Sequence, residues 1–98
     1  MMSNTAQYLQ LLREFKCRHA AEYNIRRIGI FGSVARGEQT DNSDLDIYYE
    51  GPALTLSQNV RFLEELENLF DVPVDVVRKH KNLKPHFIQR IEREVLYA

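Results

Sequence analysis

Three aspartates and one glycine-serine pair are the residues here whose types and spacing fit a defined chemistry. Asp44 and Asp46 stand two positions apart in a stretch, Asp44-Leu45-Asp46-Ile47-Tyr48-Tyr49, that alternates acidic and apolar residues before its two tyrosines. Alternation of this kind predicts a strand, and alternate strand residues project to one side, so both carboxylates share a face while Leu45 and Ile47 turn into a core. Adjacent carboxylates repel one another unless a cation sits between them. Magnesium, a hard cation with oxygen ligands, is the usual partner where phosphates are also bound. Asp75 interrupts the otherwise apolar run Val74-Asp75-Val76-Val77, where an unpaired charge is costly. If that strand lies beside the first, three carboxylates converge and can hold one or two metal ions.

Gly32-Ser33 follows the apolar run Ile28-Gly29-Ile30-Phe31 and precedes a short helix expected over Ser33-Val34-Ala35-Arg36, stopped by Gly37. A glycine at that bend allows unusual backbone angles and close approach of a ligand. Amides at the helix start, with the Ser33 hydroxyl, form an anion site suited to phosphate. Arg36, one turn on, carries forked donors that fit a triphosphate.

Each feature alone has a plainer reading. Two acids on one strand face are commonly just solvated, and a glycine-serine pair after a strand is commonly a simple turn. Asp75 could pair with an arginine, and Arg36 could be a surface cation. Their order along the chain, each on a fitting element, favours the joint reading. Other chemistries lack support. The glycines match neither the dinucleotide pattern nor the phosphate-binding loop that ends in lysine. His19, His80 and His86 are scattered without metal spacing, and Ser33 has no local histidine base. The lone Cys17 offers no internal disulfide, and it reads as a small filler on a helix. The basic run Arg78, Lys79, His80, Lys81 and Lys84 reads first as a solvated loop and helix start, second as a contact for nucleotide or an acidic partner.

The elements that must position these residues follow from periodicity. Tyr8, Leu11, Leu12 and Phe15 predict an amphipathic helix from about Thr5 to Ala20, with a break at Asn24. A second helix is expected from about Thr55 to Leu69, with Thr55 and Gln58 at capping-box spacing. Pro85 opens a last helix carrying Phe87, Ile88, Ile91 and Val95 on one face, while the state of Leu96-Tyr97-Ala98 is left open. Alternating helices and strands predict an α/β (α+β) fold, a small mixed sheet flanked by helices. The 98 residues suffice for a single domain, 44% hydrophobic and 28% charged. A net charge of −1 argues against direct nucleic-acid binding through bulk electrostatics. A polar start and short apolar runs lead to the expectation of a cytoplasmic chain with no membrane association.

The stretch from Ile30 to Glu38 followed by Ser43-Asp44-Leu45-Asp46 resembles the signature of the polymerase-β nucleotidyltransferase superfamily: G-S, ten residues, then D-x-D. The Ala35-Arg36-Gly37-Glu38 and Ser43-Asp44 extensions resemble its minimal nucleotidyltransferase family, as do Val74-Asp75-Val76-Val77 and the C-terminal stretch from Lys81 to Tyr97. The resemblance implies a polymerase-β-like fold, magnesium on Asp44, Asp46 and Asp75, and ATP triphosphate held by Gly32 and Ser33. It also implies an antitoxin that moves AMP to a tyrosine of a partner HEPN-domain ribonuclease toxin encoded nearby, with which it would form a hetero-oligomer. Larger nucleotidyltransferases position the acceptor with extra domains, so a chain this short is expected to take its acceptor surface from another chain. Two alternatives stay open: a silent antitoxin that blocks its toxin by binding, and an enzyme acting on a small alcohol or a nucleic-acid end, the latter weakened by the near-neutral charge.

Overall fold

A computed structural model describes residues 4–40 and 43–98. The elements run α1 (Thr5–Tyr23), β1 (Arg27–Phe31), α2 (Gly32–Ala35), β2 (Leu45–Glu50), α3 (Leu56–Phe70), β3 (Val74–Arg78), α4 (Pro85–Glu94) and β4 (Leu96–Tyr97). The strands form one mixed sheet in the order β3-β2-β1-β4. β1 pairs antiparallel with both β2 and β4, and β2 pairs parallel with β3. A parallel pair needs a crossover, and α3 supplies it.

Local sequence sets the helix ends. Asn4 and Gln7 form a reciprocal capping box at the start of α1, and Thr55 and Gln58 form the one expected on α3. α1 runs past its expected end at Ala20 to Tyr23, because Tyr23 continues the buried stripe of Tyr8, Leu12 and Phe15 and its ring packs 5.0 Å from that of Phe62. Asn24 then stops the helix in the left-handed conformation, with φ 55°. Pro85 opens α4 as expected.

The two sheet faces are built differently. Ile28 and Ile30 of β1 join Leu45, Ile47 and Tyr49 of β2 in the main core, against Leu12 and Phe15 of α1 and Phe62, Leu66 and Phe70 of α3. The other face holds Phe31, Asp46 and Tyr48, and α4 covers it with the fully buried Ile91. Tyr48 lies on the Asp46 side of the strand, yet it is 0% exposed beneath α4. The open question at the C-terminal end resolves as a strand: β4 sets Leu96 opposite Ile30 and Tyr97 opposite Gly29, and the Ala98 amide donates to the Ile28 carbonyl at 2.9 Å. No helix among the described residues is long and apolar enough to cross a membrane.

Candidate functional site

The site forms where β1 ends beside the starts of β2 and β3. Register places Phe31 opposite Asp46, and Asp46 opposite Asp75. Paired residues on neighbouring strands project to the same face, so these two carboxylates stand side by side. Asp44 was expected to open the strand. It lies exposed in the loop just before β2, which begins at Leu45 with that amide bonded to the Pro73 carbonyl at 2.9 Å.

Immediately after Phe31 the chain bends at Gly32, whose φ of 74° lies in the left-handed region. Gly32 is buried against the Asp46 side chain. A Cβ there would collide with Asp46 Oδ2 and stand 3.1 Å from its Cγ. Glycine therefore serves both the bend and the close approach of the carboxylate. α2 follows at once, and Ser33 enters it half-buried.

Among the described residues, no ion pair reaches Asp44, Asp46 or Asp75. The pKa of Asp46 is raised above the ordinary carboxylate value, first by burial, then by the negative charges of Asp75, Asp44 and Glu94, with Arg36 partly opposing. An acidic pair lacking a counter-cation is the donor set that a hard divalent ion accepts. The carboxylates are not drawn tightly together. The described residues whose donor atoms gather three at a time within 4.8 Å are His19 and Glu22 of α1 and Glu65 of α3. Arg61 already pairs with both carboxylates of that trio, with Glu22 at 3.1 Å and Glu65 at 2.9 Å.

Gly32, Ser33, Arg36 and Asp46 line one cleft of about 280 Å³, whose opposite wall is α4 with Phe87, Arg90 and Glu94. These three residues were not singled out by motif. They recur at i, i+3 and i+7, so they share a helix face, and two charges standing in line with an apolar stripe are the signal that was available. Phe87, expected on the apolar face of the last helix, is 38% exposed at the cleft. Glu94 reaches across to the bend: its carboxylate accepts from the Gly32 amide at 3.0 Å and from Arg36 Nη1 at 2.8 Å. Arg36 Nε also pairs with Glu38 at 2.9 Å. Asp75 lies outside this cleft and lines a second one of about 490 Å³ along β3.

The remaining titratable candidates have structural tasks. Arg78 donates to the Gly51 carbonyl, and Lys79 pairs with Glu92 at 3.0 Å, both at the end of β3 opposite Asp75. His80 accepts from the Asn82 amide, His19 pairs with Glu22, and Cys17 is exposed on α1.

Known proteins resemble this chain in sequence and fold. A relative from Methanocaldococcus jannaschii, provisionally named a protein adenylyltransferase, is 32% identical over 98% of this chain and 99% of its own length. A solved structure described as a minimal nucleotidyltransferase superposes with a TM-score of 0.77 at 33% identity, covering 96% of this chain and 95% of that one. A complex of a tri-AMPylated Shewanella oneidensis HEPN toxin with its MNT antitoxin shares the fold, with a TM-score of 0.63 at 17% identity over 91% of this chain and 70% of that one. Residues 16–98, which hold the bend, the aspartates and the α4 wall, match the family described as Polymerase beta, Nucleotidyltransferase, and the chain is a member of that family.

Proposed function

We propose that this chain transfers AMP from ATP to a hydroxyl of a partner protein, a tyrosine of a HEPN toxin encoded beside it, and thereby silences the toxin. The observation that carries the reading is the register pairing of Asp46 with Asp75, uncompensated by any cation among the described residues, directly beside the Gly32 bend. Asp44, Asp46 and Asp75 are the residues that would hold magnesium, which supplies positive charge against the triphosphate and the departing pyrophosphate. Gly32 and Ser33 offer an amide and a hydroxyl to phosphate oxygens, and Arg36 offers a guanidinium from the same wall. Phe87, partly exposed on the facing helix, offers a ring against which a base can stack. The acceptor hydroxyl must approach in line from the side opposite the leaving group, so the open β3 side of Asp75 is the direction left for a second chain. The adenylyl-transfer name of the M. jannaschii relative and the AMPylated toxin in the S. oneidensis complex support the choice of nucleotide and acceptor.

The test is incubation of the chain with labelled ATP, magnesium and the neighbouring gene product, followed by mass spectrometry of that partner. Label on a partner tyrosine is expected, reduced about a hundredfold or more by Asp44→Asn or Asp46→Asn. Toxin neutralisation that survives both substitutions would favour a blocking antitoxin. Label on small alcohols, with none on protein, would favour a different acceptor.

A further inference from the structure

Glu94 has no part in the proposed transfer, yet it sits on the groups that a phosphate would use. Its carboxylate takes the Gly32 amide at 3.0 Å and the Arg36 guanidinium at 2.8 Å, and it lines the same cleft as Ser33 and Asp46. A backbone amide at a bend and a forked cation are what an anionic oxygen seeks, and the side chain fills that role in the absence of ligand. It does so at a cost, because its charge adds to the unfavourable field at Asp46.

We propose that Glu94 is a carboxylate gate: it occupies the phosphate seat of the free protein, and a polyphosphate must displace it to bind. The proposal rests on the nucleotide reading of this cleft and adds a regulatory element to it. The position of Glu94 suits a movable side chain. It is the last residue of α4, and the backbone leaves the helix at Val95. The helix is held by the buried Ile91, and β4 by its pairing with β1, so a rotamer change at Glu94 need disturb neither. A resting place is also at hand. Arg90 lies four residues earlier on the same helix, lines the same cleft and has no ion-pair partner among the described residues. Charges at that spacing meet on a helix surface. Nucleotide entry would thus release Arg36 to the phosphates and pass Glu94 to Arg90.

A gate of this kind lowers apparent affinity by the fraction of molecules in which the seat is free. Exposed ion pairs are weak, so the seat is free in an appreciable fraction and removing the gate should tighten binding by only about threefold to tenfold. The experiment is calorimetric titration of the full chain with magnesium tripolyphosphate and magnesium ATP. Wild type is compared with Glu94→Gln and with Glu92→Gln, which removes an equal charge from the same helix where Glu92 pairs with Lys79. Tighter binding of both ligands by Glu94→Gln alone is expected. The Gly32 amide resonance should differ between wild type and Glu94→Gln when free and coincide at saturation. In wild type alone, the carbon-13 resonance of the Glu94 carboxylate should move on saturation, a reading that needs no variant to fold. Weaker or unchanged binding by Glu94→Gln, or a Glu94 resonance unmoved in saturated wild type, would overturn the gate while leaving the nucleotide site intact. Failure of wild type to bind either ligand would overturn the reading of the cleft and the gate with it.

Discussion

Gly32→Ala separates backbone strain from damage to the site, because Gly37 is a built-in control. Both glycines are left-handed, with φ of 74° and 71°, so alanine at either meets the same backbone penalty of about 1–2 kcal/mol. Their surroundings differ. A Cβ at Gly37 meets nothing within 4 Å, whereas a Cβ at Gly32 meets the Asp46 carboxylate. The obstruction is a side chain, so Asp46 can yield by leaving its preferred rotamer at about 0.5–1.5 kcal/mol. Gly37→Ala should therefore cost about 1–2 kcal/mol and Gly32→Ala about 1.5–3.5 kcal/mol. In a domain of this size each 1 kcal/mol lowers Tm by about 4–8 °C. Urea unfolding measures both, and AMP transfer or magnesium ATP binding measures the site. Gly37→Ala should retain transfer, and Gly32→Ala should lose it, because the displaced Asp46 is a proposed metal ligand. Pairing Gly32→Ala with Asp46→Ala should recover about 1 kcal/mol, since no carboxylate remains to collide. Equal costs at the two glycines, with no coupling to Asp46 and transfer intact, would refute the packing argument.

Two further expectations follow from charge and burial. The raised pKa of Asp46 means that the native state holds its proton more tightly than the unfolded chain. Without divalent metal, this residue's contribution to stability falls as pH rises from the ordinary carboxylate value of 3.8 through the higher native value. Asp46→Asn should then be more stable than wild type at neutral pH in chelator, with the difference fading in acid; a pH series of urea titrations that shows wild type the more stable throughout would contradict this. Among the described residues the buried Tyr48 hydroxyl has no partner in good hydrogen-bonding geometry, and burial, followed by the nearby Glu92 carboxylate, pushes its pKa far up. Tyr48→Phe should leave stability unchanged or raise it by up to about 1 kcal/mol, and a loss measured in urea would reveal a bond at that oxygen.

What could be read from sequence was what neighbouring residues settle among themselves. The Thr55–Gln58 box, the stop at Asn24 and the helix opening at Pro85 are local events, and all form as expected. The alternation of Leu45 and Ile47 announced a strand with its core face, and both are 0% exposed. Asp75 was odd enough in its apolar strand to be suspected, but only β2–β3 pairing could set it opposite Asp46. Long-range contact decided the rest. β4 is two residues long, too short for any period to show, and it exists because β1 offers an edge. Nothing near Tyr48 in sequence reveals that α4 returns to cover the Asp46 face of the sheet. Glu94 is an ordinary helix-end acid until the fold brings it to Gly32, which precedes it by 62 positions.

The division of the sheet explains how the fold can carry an acidic site at all. Leu12, Phe15, Phe62 and Leu66 seal one face against β1 and β2, and that burial supplies most of the stabilising apolar contact. The other face can then hold unfavourable charge. Asp46 and Asp75 are left without an ion-pair partner among the described residues, while Arg36, whose charge partly offsets the field at Asp46, is shared between Glu38 and Glu94. The resting site is thus negative on the strand side and already satisfied on the Gly32 side. A bare nucleoside triphosphate would meet repulsion from the aspartates and a filled seat at the bend. A triphosphate arriving with a divalent cation offers charge of both signs, the cation to Asp46 and Asp75 and the phosphates to Gly32 and Arg36. The aspartates that repel a bare triphosphate attract its divalent cation, so on the proposed reading the arrangement would favour nucleotide bound together with metal.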